Sequence, residues 1–298
     1  MASPFVRKAV IPVAGLGTRH FPASHAVKKE LFPVVGADGI ARALFHYHLL
    51  ELAGAGIEEI CIIVQPGEDA MIRAYLEGPG DAYLRRLEKY PALLREAEQM
   101  RDFNRRVSFA VQTAQEGYGH AVYQTRDFAA GQPVLLCLGD HLFRGRGASP
   151  YAKLAASGRL AQGKSVSAVN RISAGELKGY GTIAGRRRRE DPRLIDVSLI
   201  IEKPSPAIAR ERLHVDGLPA EIWLGWFGMH LLAPSIYDVL GEMIRDDVRD
   251  NGEFQLTRAQ EIQRQREGYL ALEMTDAQRF DFGVPDDFVR SVQEFRQP

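Results

Sequence analysis

Apolar runs that alternate with helical stretches dominate the first half of the sequence. The run Lys8–Gly15 precedes a helical pattern over Arg42–Leu52, and the run Glu59–Val64 precedes another over Glu68–Glu77. Strands that alternate with helices of this length are typical of βαβ units and a mainly parallel sheet. The almost continuously apolar segments IIV, at the end of the run Glu59–Val64, and VLLCLG, which begins at Val134, predict strands that are covered on both faces.

The remaining pattern extends the same α/β organisation. A long polar helix is predicted over Tyr83–Asn104, then a strand over Val107–Gln112, a helix near Gly119–Phe128 and a strand over Val134–Leu138. After about Ser165 short β-like runs dominate, which indicates a mixed extension of the sheet. No linker rich in proline or glycine divides the chain, so we expect a single domain over residues 1–298.

Charge and apolar patterning exclude several classes of protein. Lys+Arg and Asp+Glu both total 38, whereas binders of nucleic acid or anionic membranes normally carry a basic excess. No window approaches the ~18 apolar residues of a membrane span. Cys61 and Cys137 lie in apolar runs, as is typical of buried cysteines in a reducing compartment. The N-terminal stretch lacks a signal-peptide pattern. We therefore expect a cytoplasmic protein with a small-molecule partner, no nucleic acid and no membrane.

The strongest local motif is a glycine-rich loop at Ala14–Pro22, directly after the first apolar run. Glycines at the carboxyl end of a strand let backbone N–H groups approach phosphate oxygens. The guanidinium of Arg19 suits the same anion. Lys28 and Lys29 follow closely and would gather around a polyphosphate. A plain tight turn followed by a solvated basic turn is the alternative.

Two aspartates are candidate metal ligands. Asp140 ends an apolar strand, and Asp281 lies in the segment RFDFG near the C-terminus. An aspartate at the carboxyl end of a central strand projects into the crevice where open α/β sheets bind ligands. Two such carboxylates would hold Mg²⁺, although either alone could be a helix cap or a turn residue.

Three further motifs favour no additional function. Gly158–Ser165 (GRLAQGKS) matches a Walker A pattern, but a helix precedes it and a strand-like run follows, the reverse of the required order. A helix-to-strand turn is therefore predicted there. Arg186–Glu190 (RRRRE) is predicted to be a solvated hairpin tip. Gly15 and Gly17 would begin a dinucleotide-binding motif, but His20 occupies the third glycine position, which disfavours a dehydrogenase.

Taken together, the motifs resemble the bacterial UTP–glucose-1-phosphate uridylyltransferase family of sugar nucleotidyltransferases. The resemblance implies an α/β, Rossmann-like nucleotidyltransferase fold whose mixed, mainly parallel central sheet is flanked by helices. It also implies a nucleotide-binding half over about residues 1–145 and a sugar-phosphate-binding half with C-terminal helices over about 146–298. The matching segments follow the family's order and cover nearly the whole chain: KAVIPVAGLGTR, Lys29–Pro33, Gln112, Gly117–Val122, Leu138–Asp140, Lys178–Gly181, Ile200–Pro204, Gly228, Gly252–Thr257 and Asp281–Gly283.

The resemblance also assigns roles to positions of this chain. Nucleotide contacts are implied for Ala14, Gly15, Leu16, Gly17, Thr18, Glu30, Gln112 and Gly117. Sugar contacts are implied for Gly181, Glu202, Lys203 and Gly228. Catalytic charge neutralisation is implied for Arg19, Lys29 and Lys203. Ligation of the cofactor, Mg²⁺, is implied for Asp140 and Asp281.

The implied reaction is an in-line displacement at the α-phosphorus of an NTP by a sugar 1-phosphate, with UTP and glucose 1-phosphate expected first. The chain departs from the family at His25, Lys28 and Glu116, where the family usually has lysine, proline and lysine. Trp223 and Trp226 are bulky residues near the sugar-facing strand. Another nucleotide (dTTP or CTP), another phosphorylated acceptor and a non-catalytic sugar-nucleotide-binding protein therefore stay open. We also expect a homo-oligomer, either a dimer or a tetramer.

Overall fold

The computed structural model of the chain describes residues 5–297, so the start of the N-terminal stretch considered for a signal peptide lies outside the described residues. In chain order the strands are β1 (Lys8–Pro12), β2 (Pro33–Val35), β3 (Ala41–Ala43), β4 (Glu59–Val64), β5 (Val107–Val111), β6 (Val134–Cys137), β7 (His141–Gly145), β8 (Val166–Ser173), β9 (Thr182–Arg187), β10 (Leu194–Ile201), β11 (Ile222–Leu232), β12 (Leu270–Glu273) and β13 (Ala277–Asp281). The α-helices are α1 (Ala23–Ala26), α2 (Leu44–Gly54), α3 (Asp69–Glu77), α4 (Asp81–Leu87), α5 (Pro91–Arg106), α6 (Tyr118–Tyr123), α7 (Arg126–Ala129), α8 (Pro150–Ser157), α9 (Pro206–Arg212), α10 (Ser235–Arg245), α11 (Leu256–Glu267) and α12 (Pro285–Phe295).

A nine-stranded sheet forms the centre of the fold, in the order β5-β4-β1-β6-β11-β8-β12-β10-β9. The pairs β5–β4, β4–β1 and β1–β6 are parallel. Strand β11 runs antiparallel to both β6 and β8, and β10 is antiparallel to both β12 and β9. The predicted mixed sheet is confirmed. Its parallel pairing is concentrated in the first half of the chain, because hairpins such as β9–β10 connect strands in the second half.

Both faces of the central strands are buried, as the apolar runs predict. Successive residues of a strand point to opposite faces of a sheet. Val10 and Cys61 accordingly pack in one buried cluster, whereas Ile11 and Ile62 belong to another. Cys61 and Cys137 are both buried free thiols, which confirms their prediction as core residues.

The chain reverses its direction of travel across the sheet next to β1. It passes from β1 to β4 and β5 on one side, and then returns to β6 on the other side of β1. In open α/β sheets such a switch point leaves a crevice beyond the carboxyl ends of the strands. The glycine loop that follows β1 and the segment Leu138–Asp140 that follows β6 lie at this crevice.

A small two-stranded sheet outside the central one brings the C-terminal region to this crevice. Strands β7 and β13 are antiparallel, and Asp281 is paired with His141 in their register. The pairing places Asp281 beside the residue that follows Asp140. Neither strand was predicted from the sequence.

Some local predictions were refined by the structure. The segment Tyr83–Asn104 forms two helices rather than one, because Pro91 begins a new helix and cannot continue the previous one. Gly158–Ser165 connects α8 to β8, which confirms the helix-to-strand turn. The arginine-rich segment does connect β9 to β10 as a hairpin, but it is not simply solvated. Arg187 pairs with the buried Glu273 at 2.6 Å, and Arg188 pairs with Asp196 at 2.8 Å.

Among residues 5–297, no helix combines the length and the apolar character that crossing a membrane requires.

Candidate active site

The glycine loop after β1 is held by side chains that lie outside the crevice. Gln65 Nε2 donates to the Ala14 carbonyl at 2.9 Å, and Ser24 Oγ donates to the Gly17 carbonyl at 2.8 Å. Gly17 has φ +64°, a left-handed conformation that favours glycine. These two hydrogen bonds join carbonyls of the loop to side chains outside the crevice, and they fix the loop backbone. Arg19, directly after the loop, is exposed.

A chain of charged side chains links the two predicted metal ligands. Lys29 Nζ donates to Asp140 Oδ2 at 2.5 Å, and Lys29 is 9% exposed. His141 Nδ1 lies 2.8 Å from Asp140 Oδ1, while His141 Nε2 lies 3.3 Å from Asp281 Oδ2. His141 therefore bridges the two carboxylates. It follows Asp140 directly in the sequence, but no motif predicts a role for it.

Electrostatics keep both carboxylates ionised. Burial opposes ionisation of Asp140, but the charges and hydrogen bonds of His141 and Lys29 hold its pKa well below the ordinary value. Burial also opposes ionisation of Asp281, whose pKa is nevertheless lowered through its hydrogen bond and charge interaction with His141. The carboxylates in turn raise the pKa of His141 to about 9, against the effect of burial.

The two aspartates form a donor set that fits Mg²⁺. A Cβ added at Gly283 would lie 2.6 Å from Asp140 Oδ2 and 3.2 Å from Asp281 Oδ1, so the absence of a side chain there lets both carboxylates converge. Carboxylate oxygens are the ligands that Mg²⁺ prefers. Within residues 5–297, no cluster of three or more His, Cys, Asp or Glu side chains could hold a metal. Mg²⁺ bound here would thus take its other ligands from water and substrate phosphates, as it commonly does.

Glu30 is a buried carboxyl group on the wall of the same cleft. It is 2% exposed, and its Oε2 has no hydrogen-bond partner. Burial raises the pKa of Glu30 to about 7, even though the charge of Lys29 acts in the opposite direction. A carboxyl group with this pKa is a donor or an acceptor near neutral pH, depending on its proton.

The predicted base site is built from two loops that meet over Gly117. Gln112 is buried at the end of β5, and its Nε2 donates to the Gly117 carbonyl at 3.2 Å. Gly117 has φ +106°, and a Cβ added there would come within 2.9 Å of the Phe254 carbonyl. The N–H of Phe254 donates to the Glu116 carbonyl at 2.8 Å, which fixes the second loop against the first.

The charge of Glu116, a position where the family usually has lysine, is locally compensated. Arg249 Nη2 donates to Glu116 Oε1 at 2.7 Å, and the guanidinium lies 4.0 Å from the centre of the Phe254 ring. The hydrogen bond to Arg249 is the main reason why the pKa of Glu116 is lowered. The substitution therefore adds an ion pair between the loops rather than a free negative charge.

The second cleft is lined by residues from the later strands. Glu202 Oε2 accepts a hydrogen bond from Thr257 Oγ1 at 2.7 Å. Lys203 has φ +46°, and its side chain is 58% exposed. Gly228 lies where the register between β11 and β8 shifts, and its φ of +101° is one that glycine tolerates.

The structure brings every residue to which the resemblance assigns a role to one of two adjoining clefts. Lys28, which was predicted to gather around a polyphosphate with Lys29, lines neither cleft and instead pairs with Glu68 at 2.5 Å. The nucleotide cleft, about 520 Å³, contains all the predicted nucleotide contacts together with Arg19, Lys29 and Asp140. The acceptor cleft, about 550 Å³, contains all the predicted sugar contacts and Asp281. Both volumes suit small-molecule ligands. Arg19, Tyr118 and Leu138 line both clefts. The roles of the individual residues stay predictions.

Several lining residues were not identified from the sequence. His141, Tyr118 and Glu253 line one or both clefts, although no motif predicts a role for them. His141 could have been noted because it adjoins a predicted metal ligand. Trp226 and Gln260 also line the acceptor cleft, but only Trp226 carried a signal, as a bulky residue on the sugar-facing strand.

Fold and clefts together define a nucleotidyltransferase. The sequence model of the nucleotidyl transferase family matches residues 8–295, and the chain belongs to this family of enzymes. Among its relatives, UTP–glucose-1-phosphate uridylyltransferase 1 of Staphylococcus saprophyticus is 28% identical, over 97% of this chain and 92% of the relative. The UTP–glucose-1-phosphate uridylyltransferase of Streptococcus pneumoniae serotype 4 is 29% identical, over 97% and 90%. The resemblance drawn from the motifs is confirmed.

Solved structures agree with the predicted fold. A UDP-glucose pyrophosphorylase complexed with UDP-glucose is 22% identical, with a TM-score of 0.77 over 97% of this chain and 98% of that one. A UTP-bound UDP-glucose pyrophosphorylase of Acinetobacter baumannii is 24% identical, with a TM-score of 0.78 over 97% and 93%. The Rossmann-like nucleotidyltransferase fold is thereby confirmed.

Proposed function

We propose that the chain converts UTP and glucose 1-phosphate into UDP-glucose and pyrophosphate. The observation that carries this proposal is the junction of the two clefts, where Arg19 lines both and the carboxylates of Asp140 and Asp281 converge. The cleft that would bind the triphosphate and the cleft that would bind the sugar phosphate meet there. The names of the relatives in Staphylococcus and Streptococcus support the choice of UTP and glucose 1-phosphate.

In the proposed reaction, an oxygen of glucose 1-phosphate bonds to the α-phosphorus of UTP. The bond from that phosphorus to the bridging oxygen breaks, and pyrophosphate leaves with the electron pair. Arg19 would neutralise the triphosphate and the leaving group, whereas Lys203 would bind the phosphate of the acceptor. Catalysis of this reaction depends mainly on positioning the reactants and stabilising their charge. Arg19 and Lys203 would do both, because they would bring the two negatively charged substrates together.

Asp140 and Asp281 would hold Mg²⁺, which when bound supplies positive charge against the phosphate oxygens. Lys29 orients Asp140 through its 2.5 Å hydrogen bond, and its charge would neutralise a triphosphate bound in the nucleotide cleft. His141 keeps the two carboxylates next to each other. The chain's own part in metal binding is therefore to hold two ionised carboxylates at one point.

Gln112 and Gly117 would read the base. Because Gln112 Nε2 is engaged by the Gly117 carbonyl, its amide oxygen is left to accept a hydrogen bond from a pyrimidine N–H. The ion pair between Glu116 and Arg249 lies beside this site. Its presence keeps dTTP and CTP as the alternatives to test.

A substrate panel tests the proposal. Pyrophosphate release would be measured for UTP, dTTP and CTP, each combined with glucose 1-phosphate and with other sugar 1-phosphates. The highest kcat/KM is expected for UTP with glucose 1-phosphate. A higher value for another pair would reassign the substrates. Tight binding of UDP-sugars without turnover of any pair would show instead a non-catalytic sugar-nucleotide-binding protein.

The homo-oligomer, the cytoplasmic location and the division into a nucleotide-binding half and a sugar-phosphate-binding half stay predictions. Light scattering of the purified chain across a concentration series would measure the oligomeric state directly, and a monomer throughout would contradict the first of them.

A further inference from the structure

Buried polar atoms without partners are concentrated at the two clefts. Among residues 5–297, seven buried side-chain nitrogen or oxygen atoms have no hydrogen-bond partner. Four of them belong to residues that line the clefts: Glu30 and Tyr118 line the nucleotide cleft, and Trp226 and Gln260 line the acceptor cleft. Buried polar groups in proteins are nearly always hydrogen-bonded. The concentration of unpartnered polar atoms at the clefts therefore indicates that a bound ligand supplies their hydrogen-bond partners.

The indole of Trp226 has a defined place in the acceptor cleft. Its backbone N–H donates to the Gly181 carbonyl at 2.8 Å. A Cβ added at Gly181 would lie 2.6 Å from Trp226 Nε1 and 2.9 Å from Glu202 Oε2. The indole N–H and the Glu202 carboxylate therefore flank the same glycine, one as a donor and the other as an acceptor.

Trp223, the other tryptophan of the chain, uses its indole N–H within the fold. The chain has two tryptophans, and Trp223 is equally buried. Trp223 Nε1 donates to the Ala209 carbonyl at 3.2 Å, so its hydrogen-bonding capacity is used within the fold. Trp223 packs in a separate apolar cluster that includes Leu177 and Leu213. Only Trp226 keeps an unpartnered N–H next to a predicted sugar ligand.

Gln260 adds a second unpartnered polar atom to the wall of the acceptor cleft. Its Nε2 donates to the Tyr269 hydroxyl at 2.9 Å and lies 3.1 Å from His230 Nδ1. Its Oε1 is the end of the amide without a partner. A purely apolar surface would suit a ligand without hydroxyls. This wall instead offers an unpaired donor and an unpaired acceptor.

We propose that Trp226 determines acceptor specificity by donating its indole N–H to a hydroxyl of the sugar, beside Glu202. The proposal rests on the proposed function and deepens it. A hydroxyl both accepts and donates, so one sugar hydroxyl can accept from Trp226 and donate to Glu202. An acceptor that lacks this hydroxyl leaves buried groups unpaired, which is an effective basis for rejection. The preferred class is thus a hexose 1-phosphate with that hydroxyl free, rather than its deoxy analogue.

Trp226→Phe is the direct test, because it keeps an aromatic ring and removes the N–H. Trp223→Phe is the matched control. The kcat/KM at saturating UTP would be measured for glucose 1-phosphate and its 2-, 3-, 4- and 6-deoxy analogues. Loss of one hydrogen bond lowers kcat/KM about 2- to 12-fold. Trp226→Phe is expected to lose this factor with glucose 1-phosphate but not with one of the analogues, so the preference for the hydroxyl shrinks. Trp223→Phe is expected to keep the wild-type ratios.

Tryptophan emission gives a readout that is independent of turnover. In Trp223→Phe, the indole of Trp226 is the only one left, so its emission should change when glucose 1-phosphate is added. In Trp226→Phe, the same titration should leave the emission unchanged, while calorimetry measures the weakened binding.

The possible results separate the two claims. An equal loss with all five acceptors, or no loss with any, would show that Trp226 only packs, and would overturn this proposal alone. If wild-type protein neither binds nor turns over any sugar 1-phosphate, the proposed function fails and the specificity proposal falls with it.

Discussion

Two lysines provide a way to separate the binding of the two substrates. Lys29 lines the nucleotide cleft, is 9% exposed, and lies 2.5 Å from Asp140 Oδ2. Lys203 lines the acceptor cleft, and its nearest carboxylate oxygen, Glu202 Oε1, is 3.7 Å away. We therefore expect Lys29→Ala to weaken UTP binding selectively and Lys203→Ala to weaken glucose 1-phosphate binding selectively.

The surroundings of each lysine set the size of the effect. A charge-assisted contact to phosphate contributes about 1.5–3 kcal/mol, which is roughly 10- to 150-fold in affinity. The side chain of Lys203 is 58% exposed, and water screens its charge, so about 10-fold is expected. Lys29 is buried, so an effect toward the upper limit is expected. Lys29→Ala also removes a partner of the buried Asp140, which should reduce the free energy of unfolding by roughly 1–3 kcal/mol.

Saturation curves for each substrate, with direct binding where turnover is too low, would measure the two affinities, and thermal unfolding would report stability. Lys164→Ala is a suitable control, since Lys164 lies in the turn between α8 and β8 and lines neither cleft. It should leave both KM values within a few-fold of wild type. If Lys203→Ala shifted only the UTP curve, the assignment of the two clefts would be wrong. A collapse of nucleotide binding in Lys164→Ala would restore the Walker A interpretation.

Three further predictions concern other parts of the site and its support. Asp140→Asn and Asp281→Asn should each lower kcat roughly 100-fold or more while circular dichroism stays unchanged, and near-normal turnover in both would remove them as metal ligands. Gly181→Ala places a Cβ 2.5 Å from Trp226 Cδ1, so the KM for glucose 1-phosphate should rise about 10-fold, while the KM for UTP stays unchanged. An unaltered KM for glucose 1-phosphate would contradict the expectation that the new Cβ crowds the acceptor cleft. Burial lowers the pKa of His230 to about 3 in the folded protein, whereas a histidine in the unfolded chain has a pKa of ~6.5. Between these two values only the unfolded state binds the proton, so the free energy of unfolding falls as the pH drops below about 6.5. Between pH 7 and pH 5, wild type should lose about 2 kcal/mol more than His230→Gln in urea unfolding; equal losses would refute this.

The nucleotide side of the site was largely predictable because its signals are local in sequence. The apolar runs of β1 and β6 predict buried parallel strands. The residues that follow each strand in sequence also follow it in space. The glycine loop and Asp140 are therefore at the expected edge of the sheet.

The arrangement around the second aspartate depends on contacts that sequence patterns do not reveal. Asp281 reaches Asp140 through the pairing of β7 with β13, two short strands far apart in the chain. Strands of this length carry little periodic signal. The role of Gly283 follows only from the two carboxylates that approach it. Likewise, the unpaired N–H of Trp226 and the satisfied N–H of Trp223 look identical in sequence, because partners far along the chain decide the difference.

The position of β11 in the sheet limits which genetic recombinations between proteins of this architecture can give a folded product. β11 comes from the second half of the chain, yet it pairs with β6 from the first half on one side and with β8 on the other. A fragment that ends near residue 145 would leave the edge of β6 bare and β7 without β13, and exposed strand edges promote aggregation. A single genetic crossover in the middle of the gene would thus join strands that had not evolved to pair. Exchange of acceptor preference between relatives is expected to proceed by substitutions along β11 and the neighbouring loops rather than by the swapping of halves.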